Sequence, residues 1–195
     1  MPVGLRRICE LRHAGLSGKL LPGMKRIVTG RDNANFVQLC MENQIDFLLV
    51  GGAAVLHHGC RRADDGVAEI DLLVETSPGN AKQLMRLIEQ ALAGTGLTPE
   101  FTEKDLQLPS KQLQLKSSHH NYNLDILTAQ KEWSYSDFKS RSELAMLCNT
   151  EVRVVGKADL IWLKEWTVKH LECAEEKLQK DLQKHRNDLQ CLRDK

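Results

Sequence analysis

The sequence predicts an α/β (α+β) fold: a mixed sheet with helices packed on it, followed by a C-terminal helical tail. Three observations lead there. Short apolar runs bounded by glycines recur between stretches of helical spacing. Two segments alternating polar and apolar residues lie close enough to pair as a hairpin. From Ala158 onward the apolar residues recur at helical spacing almost to the end of the chain.

The elements follow in order. In residues 33–44, Phe36, Leu39 and Cys40 share a helical face and Asp32 or Asn33 can cap the start. Phe47 to Val50 reads as a first strand, broken by Gly51-Gly52, and AAVLHHG as a short helix closing at Gly59. A second strand runs from about Glu69 to Val74. Leu84, Leu87, Ile88 and Leu92 then form one face of a helix that Gly94 and Gly96 can end. QLQLK (112–116) and YNLDIL (122–127), separated by the polar SSHHN, suit an antiparallel hairpin. Residues 137–148 read as helical, EVRVV (151–155) as a fifth strand, and the rest as two packed helices. The expected organisation is a basic, ill-ordered extension over 1–31, a core over 32–156 and a C-terminal helical segment over 157–195.

A chain of 195 residues, 42% hydrophobic and 27% charged, is long enough to bury a core. Its net charge of +1 provides no global field toward nucleic acid or membrane, so a charged partner must meet a local patch. No apolar run approaches the ~20 residues that span a bilayer, and no membrane partner is expected. Cysteines at 9, 40, 60, 148, 173 and 191 form no CxxC pair, which suggests reduced thiols and a cytoplasmic protein. The extension carries Arg6, Arg7, Arg12, Lys19, Lys25, Arg26 and Arg31 against Glu10, the pattern of a solvated tail.

Two acids interrupt the second strand. Alternate side chains share a face, so Glu69 and Asp71 lie side by side, about 7 Å apart along the strand. Asp125 interrupts YNLDIL in the same way, and if the two strands are neighbours the three carboxylates converge. Two carboxylates about 4 Å apart repel by about 4 kcal/mol at an effective dielectric of about 20, so such a cluster needs a cation. Oxygen donors without histidine or thiolate favour Mg²⁺ (or Mn²⁺), with phosphate oxygens completing the shell. Gly51-Gly52 lets backbone N–H groups approach a phosphate, and Arg61 and Arg62 can add charged contacts.

At these residues the chain resembles the DNA polymerase β-type nucleotidyltransferase superfamily, and within it is most similar to the small AbiEii-like toxin nucleotidyltransferases. Gly51, Gly52, Arg62, Glu69, Asp71 and Asp125 match the family pattern of a glycine pair, an arginine and acid-apolar-acid followed by a third acid; Ala54, His58 and Gly59 extend it. DLIWLK (159–164) and KHRNDLQCL (184–192) are similar to the family's helical tail. The resemblance implies a metal-dependent, ATP- or other NTP-binding nucleotidyltransferase with a nucleotidyltransferase-like mixed-sheet core. It implies Glu69, Asp71 and Asp125 as catalytic and metal-binding residues, and Gly51, Gly52, Arg62 and Lys164 as nucleotide-binding. It further implies an acceptor such as tRNA or another RNA, a protein hydroxyl or a small molecule, and a toxin–antitoxin setting with an antitoxin as partner. The sequence departs from the pattern where Glu69 replaces the first Asp, the customary Thr is missing and DDGVA lengthens the arginine-to-acid spacing. Those departures fit an alternative, a catalytically impaired nucleotide-binding or protein-interaction module of the same fold.

Other readings compete. FLLVGG imitates the start of a dinucleotide site, but Gly51, Gly52, Ala54 and Gly59 do not make G-x-G-x-x-G, and Glu69 and Asp71 are left without a role. His57, His58 and Cys60 with His119 and His120 suggest zinc, although adjacent histidines diverge, so each pair offers one ligand. For Glu69 and Asp71 the plain alternative is a charged edge strand. The leucine stripe of the tail, with Trp162 and Trp166, reads as packing rather than a partner surface.

Overall fold

Apolar runs with β-branched and leucine side chains fold into one seven-stranded mixed sheet, seen in a computed structural model that describes residues 25–61, 67–93, 98–117, 122–130, 133–172 and 179–195. In chain order the elements are β1 (Arg26–Ile27), α1 (Arg31–Glu42), β2 (Phe47–Leu49), α2 (Gly51–His57), β3 (Ile70–Val74), α3 (Pro78–Leu92) and α4 (Glu103–Leu106). There follow β4 (Gln112–Ser117), β5 (Tyr122–Thr128), α5 (Tyr135–Ser140), β6 (Glu143–Leu147), β7 (Thr150–Val154), α6 (Lys157–Glu172) and α7 (Gln179–Asp194). The strand order is β1-β6-β7-β2-β3-β5-β4.

The centre of the sheet is the most apolar part. All three residues of β2 are buried, as are Ile70, Leu72, Leu73 and Val74 of β3 and Leu124 and Ile126 of β5. Helices α1 and α3 pack against each other and add Phe36, Val37 and Cys40, and Leu84 and Ile88, to this core. Helix α3 starts as its sequence dictates: the Ser77 side chain accepts the Asn80 N–H and Pro78 occupies the first turn. Strands β4 and β5 form the expected antiparallel pair; residues 118–121 between them, with His119 and His120, lie outside the described residues.

Strand β2 runs antiparallel to β3, with Leu48 opposite Leu73. A dinucleotide-binding unit needs those strands parallel across a helical crossover, so that reading of FLLVGG fails.

Two expectations are corrected. Residues 137–148 are not one helix: α5 ends at Ser140 and β6 pairs antiparallel with β7, Leu147 opposite Thr150. Helix propensity in ELAML yields to pairing, with Ala145, Met146 and Leu147 buried in the sheet. Cys148 makes the reversal in a left-handed conformation, φ 52°, and Cys-Asn lacks the glycine that normally signals such a turn. Nor are all the cysteines reduced. Cys60, just after α2, forms a disulfide with Cys191 in α7, with Cα atoms 5.7 Å apart. A rule built on local Cys spacing misses a bridge spanning 131 residues. Among the described residues Cys40 and Cys148 are free.

The end of the basic segment joins the sheet, Arg26 and Ile27 pairing parallel with Met146 and Leu147 of β6; residues 1–24 lie outside the described residues. Helices α6 and α7 pack on each other, and α6 also reaches α2. Leu160, Leu182, Leu189 and Leu192 are buried, while Leu178 lies outside the described residues. Trp166 and Trp162 both stack edge-on against Trp133, although Trp162 remains 40% exposed. Among the described residues no helix is long and apolar enough to cross a membrane.

Candidate functional site

Strands β3 and β5 are parallel neighbours, and their register puts Asp71 directly opposite Asp125. Residues opposite one another project from the same face of a sheet, so the two carboxylates stand side by side. Glu69 lies in the bend just before β3, and carboxylate oxygens of Glu69, Asp71 and Asp125 all lie within 4.8 Å of one another. The three acids predicted from the sequence therefore do converge.

Each aspartate is held differently. Asp125 is 4% exposed; its Oδ2 accepts from Gln112 Nε2 at 2.7 Å, while its Oδ1 is buried without a hydrogen-bond partner. Asp71 Oδ2 accepts the Gly52 N–H at 3.2 Å, and the Asp71 carbonyl accepts the Val50 N–H at 3.0 Å, which fixes the glycine turn against β3. Gly51 takes φ +54°, and a Cβ there would lie 1.9 Å from Asp71 Oδ2. The glycine pair thus lets the backbone close over a carboxylate, and α2 begins at that contact. Burial pushes the Asp71 carboxyl up to about 6, helped by the charges of Glu69 and Asp125 and opposed by the Gly52 hydrogen bond and Lys164.

A buried carboxylate oxygen without a donor, beside two further carboxylates, fits a divalent cation. The donor set is all oxygen, which suits Mg²⁺ or Mn²⁺.

Lys164 is buried in α6, and its Nζ lies 2.9 Å from Asp188 Oδ2 and 3.1 Å from His185 Nδ1, both in α7. Burial lowers its pKa, against the pull of Asp188. Burial raises Asp188, but Lys164 and Arg61 outweigh it and hold the carboxyl below its usual range. His185 is driven down to about 4 by burial and by Lys164, so at neutral pH its Nδ1 accepts from the ammonium. The Lys164 charge also acts on Asp71 and lowers its pKa.

Arg62, predicted to meet a nucleotide, lies outside the described residues, as do Asp64 and Asp65. Its neighbour Arg61 donates from Nη2 to both oxygens of Asp188, at 3.2 and 3.0 Å, and its Nη1 lies 3.0 Å from where a Gly52 Cβ would be. A chain of contacts thus runs from the glycine turn through Arg61 and Asp188 to Lys164. Gln112 and Asp188 were not singled out from the sequence, and Arg61 was read there as a phosphate contact rather than as the partner of Asp188. Gln112 carried a usable signal, since it lies two residues from Gln114, the Asp125 partner, and so on the same face.

No protein-family model matches the chain, and no curated protein does. Among solved structures it is similar to an antigenic nucleotidyltransferase-like protein from Paracoccidioides brasiliensis, at 10% identity and a TM-score of 0.48, covering 82% of this chain and 72% of that one. A likeness of that size fixes no family. The site's own geometry is more informative.

The competing zinc reading loses one ligand among the described residues. Cys60 is in the disulfide, and His119 and His120 lie outside the described residues. His57 and His58 do not diverge, however. Both rings approach Glu143 of β6, with His57 Nε2 at 3.0 Å from Oε2 and His58 Nδ1 at 4.0 Å from Oε1.

Proposed function

We propose that this protein is a metal-dependent nucleotidyltransferase that moves a nucleoside monophosphate from an NTP to an acceptor hydroxyl. The observation that carries the reading is the meeting of Glu69, just before β3, with Asp71 and Asp125 on neighbouring strands beside a glycine turn, with one Asp125 oxygen unpartnered.

In this reading Glu69, Asp71 and Asp125 hold Mg²⁺ or Mn²⁺, which when bound neutralises phosphate charge and makes an attacking oxygen more acidic. Gln112 and the Gly52 N–H keep the aspartates in place. Asp125 would take the proton of the acceptor hydroxyl as that hydroxyl oxygen bonds to the α-phosphorus. The bond from that phosphorus to the bridging oxygen breaks, and pyrophosphate leaves. Lys164 and Arg62 supply positive charge for the triphosphate, and the turn at Gly51 and Gly52 receives it. The core over 32–156 carries the carboxylates, while the segment over 157–195 brings Lys164.

The finer assignment rests on the sequence resemblance to the AbiEii-like toxin group: ATP or another NTP as donor, a tRNA, other RNA or protein hydroxyl as acceptor, an antitoxin as partner, and action in the cytoplasm. A second reading is a nucleotide-binding module without turnover. Two features favour it: Glu69 stands in the bend outside the β3 ladder, and Asp71 already occupies the Gly52 N–H.

Incubation with α-labelled and γ-labelled NTP, Mg²⁺ and total RNA or cell protein separates the two. Transfer of the α-label alone, lost in Asp125→Asn, is expected for the enzyme. Tight Mg²⁺-dependent NTP binding with no label transferred to any acceptor supports the module instead.

A further inference from the structure

The proposed transfer makes no use of the histidine pair at the end of α2. His58 Nε2 lies 2.9 Å from the Val155 carbonyl oxygen. A carbonyl only accepts, so the ring proton sits on Nε2 and a neutral His58 carries a lone pair on Nδ1. That lone pair and the Glu143 carboxylate are both acceptors, 4.0 Å apart, a separation that a bound cation can bridge. His57 adds Nε2 at 3.0 Å from the other Glu143 oxygen, while its Nδ1 is buried with no partner. Donor atoms of the three residues all lie within 4.8 Å of one another.

We propose that His57, His58 and Glu143 form a second metal site, selective for a late first-row divalent ion such as Zn²⁺ and independent of the Glu69, Asp71 and Asp125 cluster. The spacing suits it. Tetrahedral zinc with bonds of about 2.0–2.2 Å sets its donors about 3.3–3.5 Å apart, and the two observed separations bracket that range. The hydrogen bond of His58 to a backbone carbonyl is the usual support for a ligating imidazole, fixing its tautomer and ring plane. Two imidazole nitrogens with one carboxylate prefer Zn²⁺ to Mg²⁺, whereas the all-oxygen cluster prefers Mg²⁺, so donor type alone sorts the two ions. The Glu143 side chain is 51% exposed, which opens the site to solvent and leaves a position for water. Exposed Lys25 acts on His57 with opposing charge, but from a position where solvent and salt screen it. An ion here ties the C-terminal end of α2 to β6, and the other end of α2 is the glycine turn against Asp71.

The test is calorimetric Zn²⁺ titration of the full chain against a competing chelator, together with Co²⁺ absorption spectroscopy. Native protein is expected to bind one equivalent of Zn²⁺. Glu143→Gln, a substitution at a half-exposed side chain, weakens binding at least tenfold, and Asp71→Asn leaves it unchanged. The Co²⁺ spectrum shows d–d bands without a thiolate charge-transfer band. The proposal is overturned if native protein binds no stoichiometric Zn²⁺, if Glu143→Gln binds as tightly as native, or if Asp71→Asn abolishes binding. A thiolate band also overturns it, since the ion would then sit on a cysteine.

Discussion

Gly51 and Asp71 make contact so close that position 51 has no room for a side chain. Alanine at position 51 would put a Cβ 1.9 Å from Asp71 Oδ2 and hold an L-residue at φ +54°, the second effect alone costing about 1–2 kcal/mol. Gly51→Ala is expected to lower stability in urea melts by at least about 2 kcal/mol and to weaken Mg²⁺ binding. Asp71 itself gives a pH signature. Its carboxyl, pushed up to about 6, lies above its value in the unfolded chain. Such a group contributes stability that is fully present below the unfolded pKa of about 4 and is lost as pH rises through about 6, up to about 3 kcal/mol. His185 works in the opposite direction: its lowered pKa favours the fold near neutrality and that contribution is lost as pH falls toward about 4. The difference between native and Asp71→Asn melts, without divalent metal, isolates the aspartate. Native protein should lose stability relative to the variant between pH 4 and 6. The three acids were legible in the sequence because a carboxylate in an apolar strand needs a reason. The opposing shifts at Asp71 and His185 were not, because burial and Lys164 create them only in the fold.

Among elements, α7 is held by two kinds of bond. The Cys60–Cys191 disulfide closes a span of 131 residues, and a bridge of that reach stabilises by about 2–4 kcal/mol, chiefly through the unfolded chain. Reduction, or Cys191→Ser, should lower the melting temperature and increase proteolysis of the last helix. The buried ion pair is the second tie, with Lys164 and Asp188 side chains 5% and 8% exposed. Asp188→Asn leaves Lys164 as an uncompensated buried cation, at a cost of about 3–5 kcal/mol in denaturant melts. Lys164→Met should cost less, because Arg61 still compensates Asp188. The hairpin and the long helices were readable from periodicity. Strand β6 was not, since ELAML has helical propensity and becomes a strand only by pairing with β7 and β1.

The whole molecule brings together parts that are distant in the chain. Strand β2 lies between β3 and β7, and β1 lies beside β6, so strand order depends on pairings that no local window of sequence contains. That β3 and β5 are neighbours was the one long-range relation inferable beforehand, because three acids in apolar strands make sense only together. The tail's role was half legible: DLIWLK marked Lys164, while its link through Asp188 to Arg61 depends on how α6 and α7 pack. On the proposed function the carboxylate cluster binds a divalent ion and, through it, a nucleoside triphosphate. Thermal-shift titration with each NTP, with and without Mg²⁺ or Mn²⁺, on native protein and on Asp71→Asn tests it most directly. The expected result is stabilisation by at least one NTP that requires the metal and disappears in the variant. Identical curves for both proteins under every ligand would contradict it, leaving Glu69 and Asp71 as charges without a ligand.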